Sequence, residues 1–161
     1  MEILEFFSFL GQEAALFIVS MLPIVELRGA VPLGAALGIP WETTLTLALL
    51  GNLLPVPLLI LFGRKILKWL QSTKRFGPFF RKYEEKLVHK AQSALKTSVM
   101  GLCLFVAIPL PGTGAWSGAL IAALLDIRMK YALPAIVLGV LIAGVLMTLG
   151  SYGFVSFLSG I

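Results

Sequence analysis

Two of the four long apolar stretches in this chain are interrupted in the middle by prolines and glycines. Residues 43–62 and 131–150 are uninterrupted runs of about the 20 residues that a helix needs to cross a bilayer. Residues 12–38 and 99–125 are broken, at the sequences LPIVELRG and IPLPGTG. The mean hydropathy is +0.96 and 58% of the residues are hydrophobic, so we expect an all-α integral membrane protein.

The two breaks indicate what kind of membrane fold this is. Each arm beside a break has only about 10–13 residues, or about 15–20 Å of helix, roughly half the thickness of the membrane core. A backbone break at that depth is tolerated only within protein or around a polar cavity. The pattern therefore predicts two re-entrant helical hairpins, each followed by a transmembrane helix. In the alternative, which stays open, each broken stretch crosses the membrane fully.

A repeat emerges when the chain is compared with itself at an offset of 88 residues. The offset aligns Leu22-Pro23 with Leu110-Pro111, Leu50-Gly51 with Leu138-Gly139, and Ala35, Leu37 and Ile39 with Ala123, Leu125 and Ile127. The matched prolines and glycines carry most weight because they mark backbone events. We predict a single membrane domain over residues 1–161, with a first repeat at 12–62, a connection at 63–98 and a second repeat at 99–150.

Positive charge is concentrated in the connection. Ten of the thirteen Lys and Arg residues lie between Arg64 and Lys96, where the only acids are Glu84 and Glu85. Such a segment belongs on the cytoplasmic side of the membrane. Apolar residues recur at helical spacing within it, at Phe76, Phe80, Tyr83 and Leu87. We predict a basic amphipathic helix on the inner leaflet, with residues 64–96 binding anionic lipids.

Charge also predicts opposite orientations for the two repeats. The hairpin model places GIPWE (38–42), which has no Lys or Arg, outside and DIRMK (126–130), which has two, inside. Both placements agree with the positive-inside rule, so we predict inverted repeats, an arrangement common in transporters. No nucleic-acid-binding module is recognisable, so we expect no nucleic-acid partner.

The breaks are also where polar groups gather. If the hairpins face each other, two helix N-termini point at the midplane and favour an anion there. The guanidinium of Arg28 suits phosphate or carboxylate, and Glu26 suits proton coupling. On a regular helix, the side chains of Glu26 and Arg28 would not face each other, because the two residues are only two positions apart. In a turn, they could. The alternative to a role in transport is that Glu26 and Arg28 form an ion pair that only stabilises the structure.

Eleven residues in and around the breaks are candidate substrate- or ion-binding residues. Thr113 and Ser117 are also predicted to cap the outgoing arm. For Trp116, an interfacial or packing role and a role lining the site both remain open. Asn52 could bond to a broken backbone or line the transport path. The set is Glu26, Arg28, Pro32, Asn52, Pro109, Pro111, Gly112, Thr113, Gly114, Trp116 and Ser117.

An enzymatic function is not expected. The only histidine is His89, in the basic connection, so Ser117 has no base in reach. Cys103 is the single cysteine, and no cluster of residues has metal-ligand spacing. Phosphate-loop and dinucleotide fingerprints are absent from the sequence. We therefore predict neither cofactor nor metal.

The sequences ELRGAVPLGAALG (26–38) and PLPGTGAWSGALIAALL (109–125) resemble the small multidrug export family of bacteria and archaea. The family is more remotely similar to DedA-type membrane proteins. The first resemblance implies a multi-pass secondary transporter that exports small molecules or drugs across the prokaryotic plasma (inner) membrane. The second implies a lipid-phosphate flippase or scramblase. A non-transporting scaffold is a third interpretation. Since 161 residues can scarcely enclose a path, we expect a homodimer.

Overall fold

The computed structural model describes residues 2–73, 77–95, 99–110 and 112–159, with side chains at 11–73, 77–89, 99–110 and 112–159. Within these ranges the chain is all-α, without strands, as predicted. Its helices are α1 (Glu2–Met21), α2 (Glu26–Ala36), α3 (Trp41–Leu53), α4 (Val56–Ser72), α5 (Gly77–Leu95), α6 (Val99–Ala107), α7 (Ala115–Leu124) and α8 (Met129–Ser159).

The chain divides into two compact units. The first contains the residues up to Leu54 together with those from Val140 onward, and the second contains Pro55–Gly139. The long helix α8 therefore contributes its first part to the second unit and its last part to the first. Each unit is described separately below.

In the first unit, α1, α2 and α3 pack against one another. Small residues let the helices approach closely, as is typical of helix packing in membranes. A β-carbon at Gly51 would lie 2.5 Å from the carbonyl oxygen of Phe17 on α1 and would collide with the hydroxyl of Ser20. Gly34 on α2 is in similarly close contact with Thr44 on α3. The core of this unit contains Leu16, Leu27, Ala30, Val31, Ala48, Val140 and Ala143.

In the second unit, α4 packs against α7 and α5, and α6 packs against α5 and α7. Glycines again mark the closest approaches. A β-carbon at Gly139 on α8 would lie 2.7 Å from the carbonyl oxygen of Cys103 on α6. One at Gly118 on α7 would lie 2.5 Å from Cγ2 of Val106, also on α6.

The predicted spans and breaks are confirmed as helices and turns. Residues 43–62 fall within the 32-residue helical stretch Trp41–Ser72, and 131–150 fall within the 31 residues of α8. Both are long and apolar enough to cross a membrane. Three arms beside the breaks are short, with 11 residues in α2, 9 in α6 and 10 in α7. The fourth arm, α1, has 20 residues and begins ten residues before the predicted repeat.

The basic connection differs in extent and in packing from the prediction. Helix α4 continues to Ser72, so Arg64 and its neighbours belong to a long helix rather than to a connection. The predicted amphipathic helix is α5, but Leu87 is buried and α5 contacts α4, α6 and α7. Part of its apolar side is therefore used for packing within the protein instead of against lipid. Phe76 lies outside the described residues. The inverted, re-entrant arrangement stays a prediction.

Candidate functional site

The first break is a four-residue turn, Leu22–Val25, between α1 and α2. The backbone N–H of Glu26 donates to the carbonyl of Leu22 at 2.9 Å and closes the turn. Glu26 has φ +50°, a left-handed conformation that is uncommon for a residue with a side chain. Strained backbone of this kind persists only where the surrounding structure holds it in place.

This conformation brings Glu26 and Arg28 together. Arg28 Nη1 lies 3.4 Å from Glu26 Oε2, with exposed side-chain fractions of 17% for Arg28 and 7% for Glu26. Residues two apart on a regular helix point in different directions. Because Glu26 is left-handed, the two side chains can nevertheless face each other. The sequence analysis allowed this contact in a turn, and it is the contact that occurs. The result is an ion pair that is almost excluded from solvent.

Two other predicted residues belong to the same unit. Pro32 lies inside α2, with its side chain exposed, and supplies no N–H to the carbonyl of Arg28 one turn earlier. Asn52 follows Gly51, whose contacts with Phe17 and Ser20 place it within one turn of the end of α1. Asn52 is buried, and its Oδ1 has no hydrogen-bond partner among the described residues. A buried polar atom therefore lies at about the depth of the first break.

The second break, between α6 and α7, is built mainly from backbone. Pro109 is the central residue of a γ-turn, in which the N–H of Leu110 donates to the carbonyl of Ile108 at 2.8 Å. Gly112 has φ +77°, a conformation that favours glycine. Pro109 and Gly112 are exposed. Pro111 lies outside the described residues.

Neither Thr113 nor Ser117 occupies the N-cap position of α7, contrary to the prediction. The N-cap residue is Gly114, which has no side chain with which to bond the helix start. The Thr113 hydroxyl instead reaches the carbonyls of Ile108, at 2.7 Å, and Leu110, at 2.9 Å. Its single proton is shared between two acceptors, because the short turn brings both carbonyls to the same side.

Ser117 and Trp116 lie on the first turn of α7. Ser117 is buried, and its Oγ is 3.5 Å from the hydroxyl of Tyr83 on α5. Trp116 is half-buried. Since residues 99–125 include no charged side chain, the second break offers hydroxyls and carbonyls where the first offers a carboxylate and a guanidinium.

Sequence reasoning missed two polar clusters. Arg64 on α4 donates to the carbonyl of Leu124 at 2.5 Å and pairs with Asp126 at 2.9 Å, holding the C-terminal end of α7. In the first unit, Tyr152 on α8 bonds the carbonyl of Ile39 at 2.7 Å and the hydroxyl of Thr44 at 2.6 Å. The partners are far apart in sequence, so only isolated polar residues in apolar surroundings could have indicated them.

Over the described residues, no group of three His, Cys, Asp or Glu side chains is placed to hold a metal ion. Comparison with curated proteins and comparison with solved structures each found no match. Residues 26–146 match a protein family described as "Putative small multi-drug export protein". The match begins at Glu26, directly after the first break, includes the second break and extends well into α8. With three quarters of its length matched, the chain belongs to the small multi-drug export protein family.

Proposed function

We propose that the protein is a secondary exporter of small molecules in which Glu26 carries the coupling proton and Arg28 binds a polar or anionic group of the substrate. The observation that carries the proposal is the ion pair at the first break, with its 3.4 Å contact and side-chain exposures of 7% and 17%. Charged groups this far from water are costly within a membrane and are usually functional there.

The geometry suggests how proton binding is coupled to substrate binding. The 3.4 Å contact between Arg28 and Glu26 is long for a charge-assisted hydrogen bond, so this pair is not a tight clamp. Protonation of Glu26 removes its negative charge and weakens its hold on Arg28. An anionic or polar substrate then competes with a weaker partner for the guanidinium, and deprotonation of Glu26 displaces that substrate. Linked binding of this kind couples proton movement to transport without a covalent step.

The lengths of three of the four arms beside the breaks support the proposed membrane arrangement. At 1.5 Å per residue, the 11, 9 and 10 residues of α2, α6 and α7 reach about half way across a bilayer. We propose re-entrant hairpins in two inverted repeats, in a multi-pass protein of the prokaryotic plasma membrane. We also propose that the protein works as a homodimer and that the lysines and arginines of α4 and α5 bind anionic lipids.

The test is transport into and out of proteoliposomes under an imposed pH gradient, with ethidium as a cationic dye and carboxyfluorescein as an anionic dye. Glu26→Gln is expected to abolish gradient-dependent transport while leaving the protein folded. Glu42→Gln is the matched control, because Glu42 also lies in the first turn of a helix of this unit but is exposed. Unchanged gradient-dependent transport by Glu26→Gln would remove Glu26 from the mechanism.

A lipid phosphate is the second candidate substrate, since the planar guanidinium of Arg28 is suited to phosphate. This alternative predicts that fluorescent phosphatidylglycerol changes leaflet in proteoliposomes without any gradient. It also predicts that Arg28→Ala abolishes this movement while Glu26→Gln does not. A pH-gradient requirement for lipid movement would instead favour the proton-coupled mechanism.

A further inference from the structure

A cleft of about 340 Å³ lies in the first unit, between the start of α3 and the C-terminal part of α8. Trp41 and Leu45 form one wall, and Leu149 and Gly153 contribute to the other. The volume falls at the lower end of the range of about 300–1,000 Å³ that small-molecule sites occupy. None of the eleven residues predicted from the breaks lines it.

One polar group among the residues that line this cleft has no hydrogen-bond partner within the described part of the chain. Thr148 is only 8% exposed, and its Oγ1 has no hydrogen-bond partner among the described residues. A helical threonine commonly bonds the carbonyl four residues earlier, and Thr148 does not. The hydroxyl of Tyr152, which also lines the cleft, is already hydrogen-bonded to the carbonyl of Ile39 and to the hydroxyl of Thr44. An unsatisfied hydroxyl in apolar surroundings favours any occupant that bonds it.

The cleft contains no charged side chain among the residues that line it. An anionic ligand would lose its hydration there without gaining a counter-ion, which costs far more than one hydrogen bond returns. Trp41, half-exposed at the start of α3, offers an aromatic face to an apolar ligand. We propose that this cleft binds a neutral, mainly apolar small molecule whose single polar group hydrogen-bonds Thr148.

Two glycines on α8 provide matched variants. A β-carbon at Gly153, which lines the cleft, would meet no atom within 4 Å. Gly153→Leu therefore fills the cleft without displacing backbone. A β-carbon at Gly150 also has open space, but Gly150 lines a separate groove beside α2. Gly150→Leu is thus the same substitution on the same helix, directed away from the cleft.

The experiment uses benzophenone, which is neutral and apolar and has one carbonyl that can accept from Thr148. On illumination this carbonyl takes a hydrogen atom from a nearby C–H bond, and the two radicals combine into an adduct of the probe's own mass. The full chain in phosphatidylcholine vesicles is labelled over a concentration series, and adducts are located by mass spectrometry. We expect saturable labelling of α3 near Trp41 and of α8 over residues 145–156.

The variants then test each part of the proposal. Gly153→Leu is expected to abolish saturable labelling, and Gly150→Leu to leave it unchanged. Thr148→Val keeps the shape of the side chain and removes its hydroxyl. The benzophenone concentration that gives half-saturation should therefore rise by about two- to ten-fold, as expected for the loss of one hydrogen bond. The charged analogue 4-benzoylbenzoate should not label the cleft.

Three results would overturn the proposal. One is labelling that never saturates and is spread along the lipid-facing side of α8, because lipid would then fill the cleft as well as the probe does. The others are labelling that survives Gly153→Leu, and equal labelling by 4-benzoylbenzoate. Binding here requires neither Glu26 nor a pH gradient, so this measurement and the transport assay can fail independently.

Discussion

The two breaks solve the same structural problem with different chemistry. At the first, between Met21 and Glu26, polarity comes from the Glu26 and Arg28 side chains, and the backbone strain lies on Glu26 itself. At the second, the left-handed residue is Gly112 and the polar groups are carbonyls bonded by the Thr113 hydroxyl. The offset of 88 residues pairs Thr113 with Val25 and Gly114 with Glu26. The first break therefore carries charge, whereas the second satisfies its own backbone.

The helices around the breaks are much more alike than the breaks themselves. Gly51 and Gly139, which the same offset pairs, each contact a carbonyl of the preceding arm, that of Phe17 or of Cys103. A common framework with two different turns indicates that charge at the first break is not needed to build such a hairpin. That difference is a reason to assign transport chemistry to the Glu26–Arg28 pair.

The largest effect is expected at the shared framework. Gly51→Ala and Gly139→Ala each place a methyl group against a backbone carbonyl, at 2.5 Å and 2.7 Å. Backbone cannot move aside as a flexible side chain can, so each change should lower the free energy of unfolding by about 3 kcal/mol. Unfolding in mixed detergent micelles, followed by circular dichroism, measures the loss.

Gly150→Ala is the control for this pair, because its methyl group meets open space. It should be neutral or stabilising by up to about 1 kcal/mol through helix propensity. Similar losses at Gly51 and Gly139 would sharpen the comparison by showing that the two hairpins depend equally on close packing. If Gly51→Ala destabilises the protein and Gly139→Ala does not, the two hairpins do not depend on close packing in the same way, and the comparison fails.

The features predicted correctly from the sequence are the local ones. The apolar length of 43–62 and 131–150 predicted the two long helices, and the prolines and glycines of the breaks marked the two turns, because both effects act within a few residues. Arg64 shows what could not be predicted. Its partners Leu124 and Asp126 are about 60 residues away and meet it only after α4 packs on α7.

Thr113 is a subtler case of the same limit. Its position just before α7 is typical of an N-cap residue, and the sequence offered no reason to prefer another role. The γ-turn at Pro109 bends two carbonyls toward the hydroxyl, and that competing arrangement depends on the complete turn. The Glu26–Arg28 contact depends likewise on a backbone angle that composition does not specify.

The next largest effect tests the difference between the turns. Thr113→Val removes the donor that bonds the carbonyls of Ile108 and Leu110, and should destabilise the protein by about 1–3 kcal/mol. Thr113→Ser retains the hydroxyl and should recover most of that loss. The reciprocal change, Val25→Thr, should have little effect, because the first turn is closed by its backbone bond from Glu26 to Leu22. Equal losses from Thr113→Val and Thr113→Ser would assign the effect to packing rather than to the hydroxyl.

The smallest effects are expected where the outgoing arms end. Gly38, at φ +71°, lies two residues beyond the end of α2, and Asp126, at φ +53°, lies two residues beyond the end of α7. The offset of 88 pairs these two residues. In both, the next N–H bonds back into the helix, from Ile39 to Gly34 at 3.0 Å and from Ile127 to Ala122 at 2.9 Å. The same helix-ending motif is thus made by a glycine in one hairpin and by an aspartate in the other.

Opposite substitutions at these two ends should give different results. Gly38→Ala adds a side chain to a left-handed residue and should cost about 1–2 kcal/mol. Asp126→Gly relieves that strain but loses the exposed Arg64 pair, which contributes at most about 1 kcal/mol, so the net change should be close to zero. Thermal unfolding of both variants beside Asp126→Ala, which loses the ion pair and keeps the strain, separates the two terms. If Gly38→Ala is neutral, a side chain at this left-handed position costs no stability. The two helix ends would then share a geometry but not an energetic requirement for glycine.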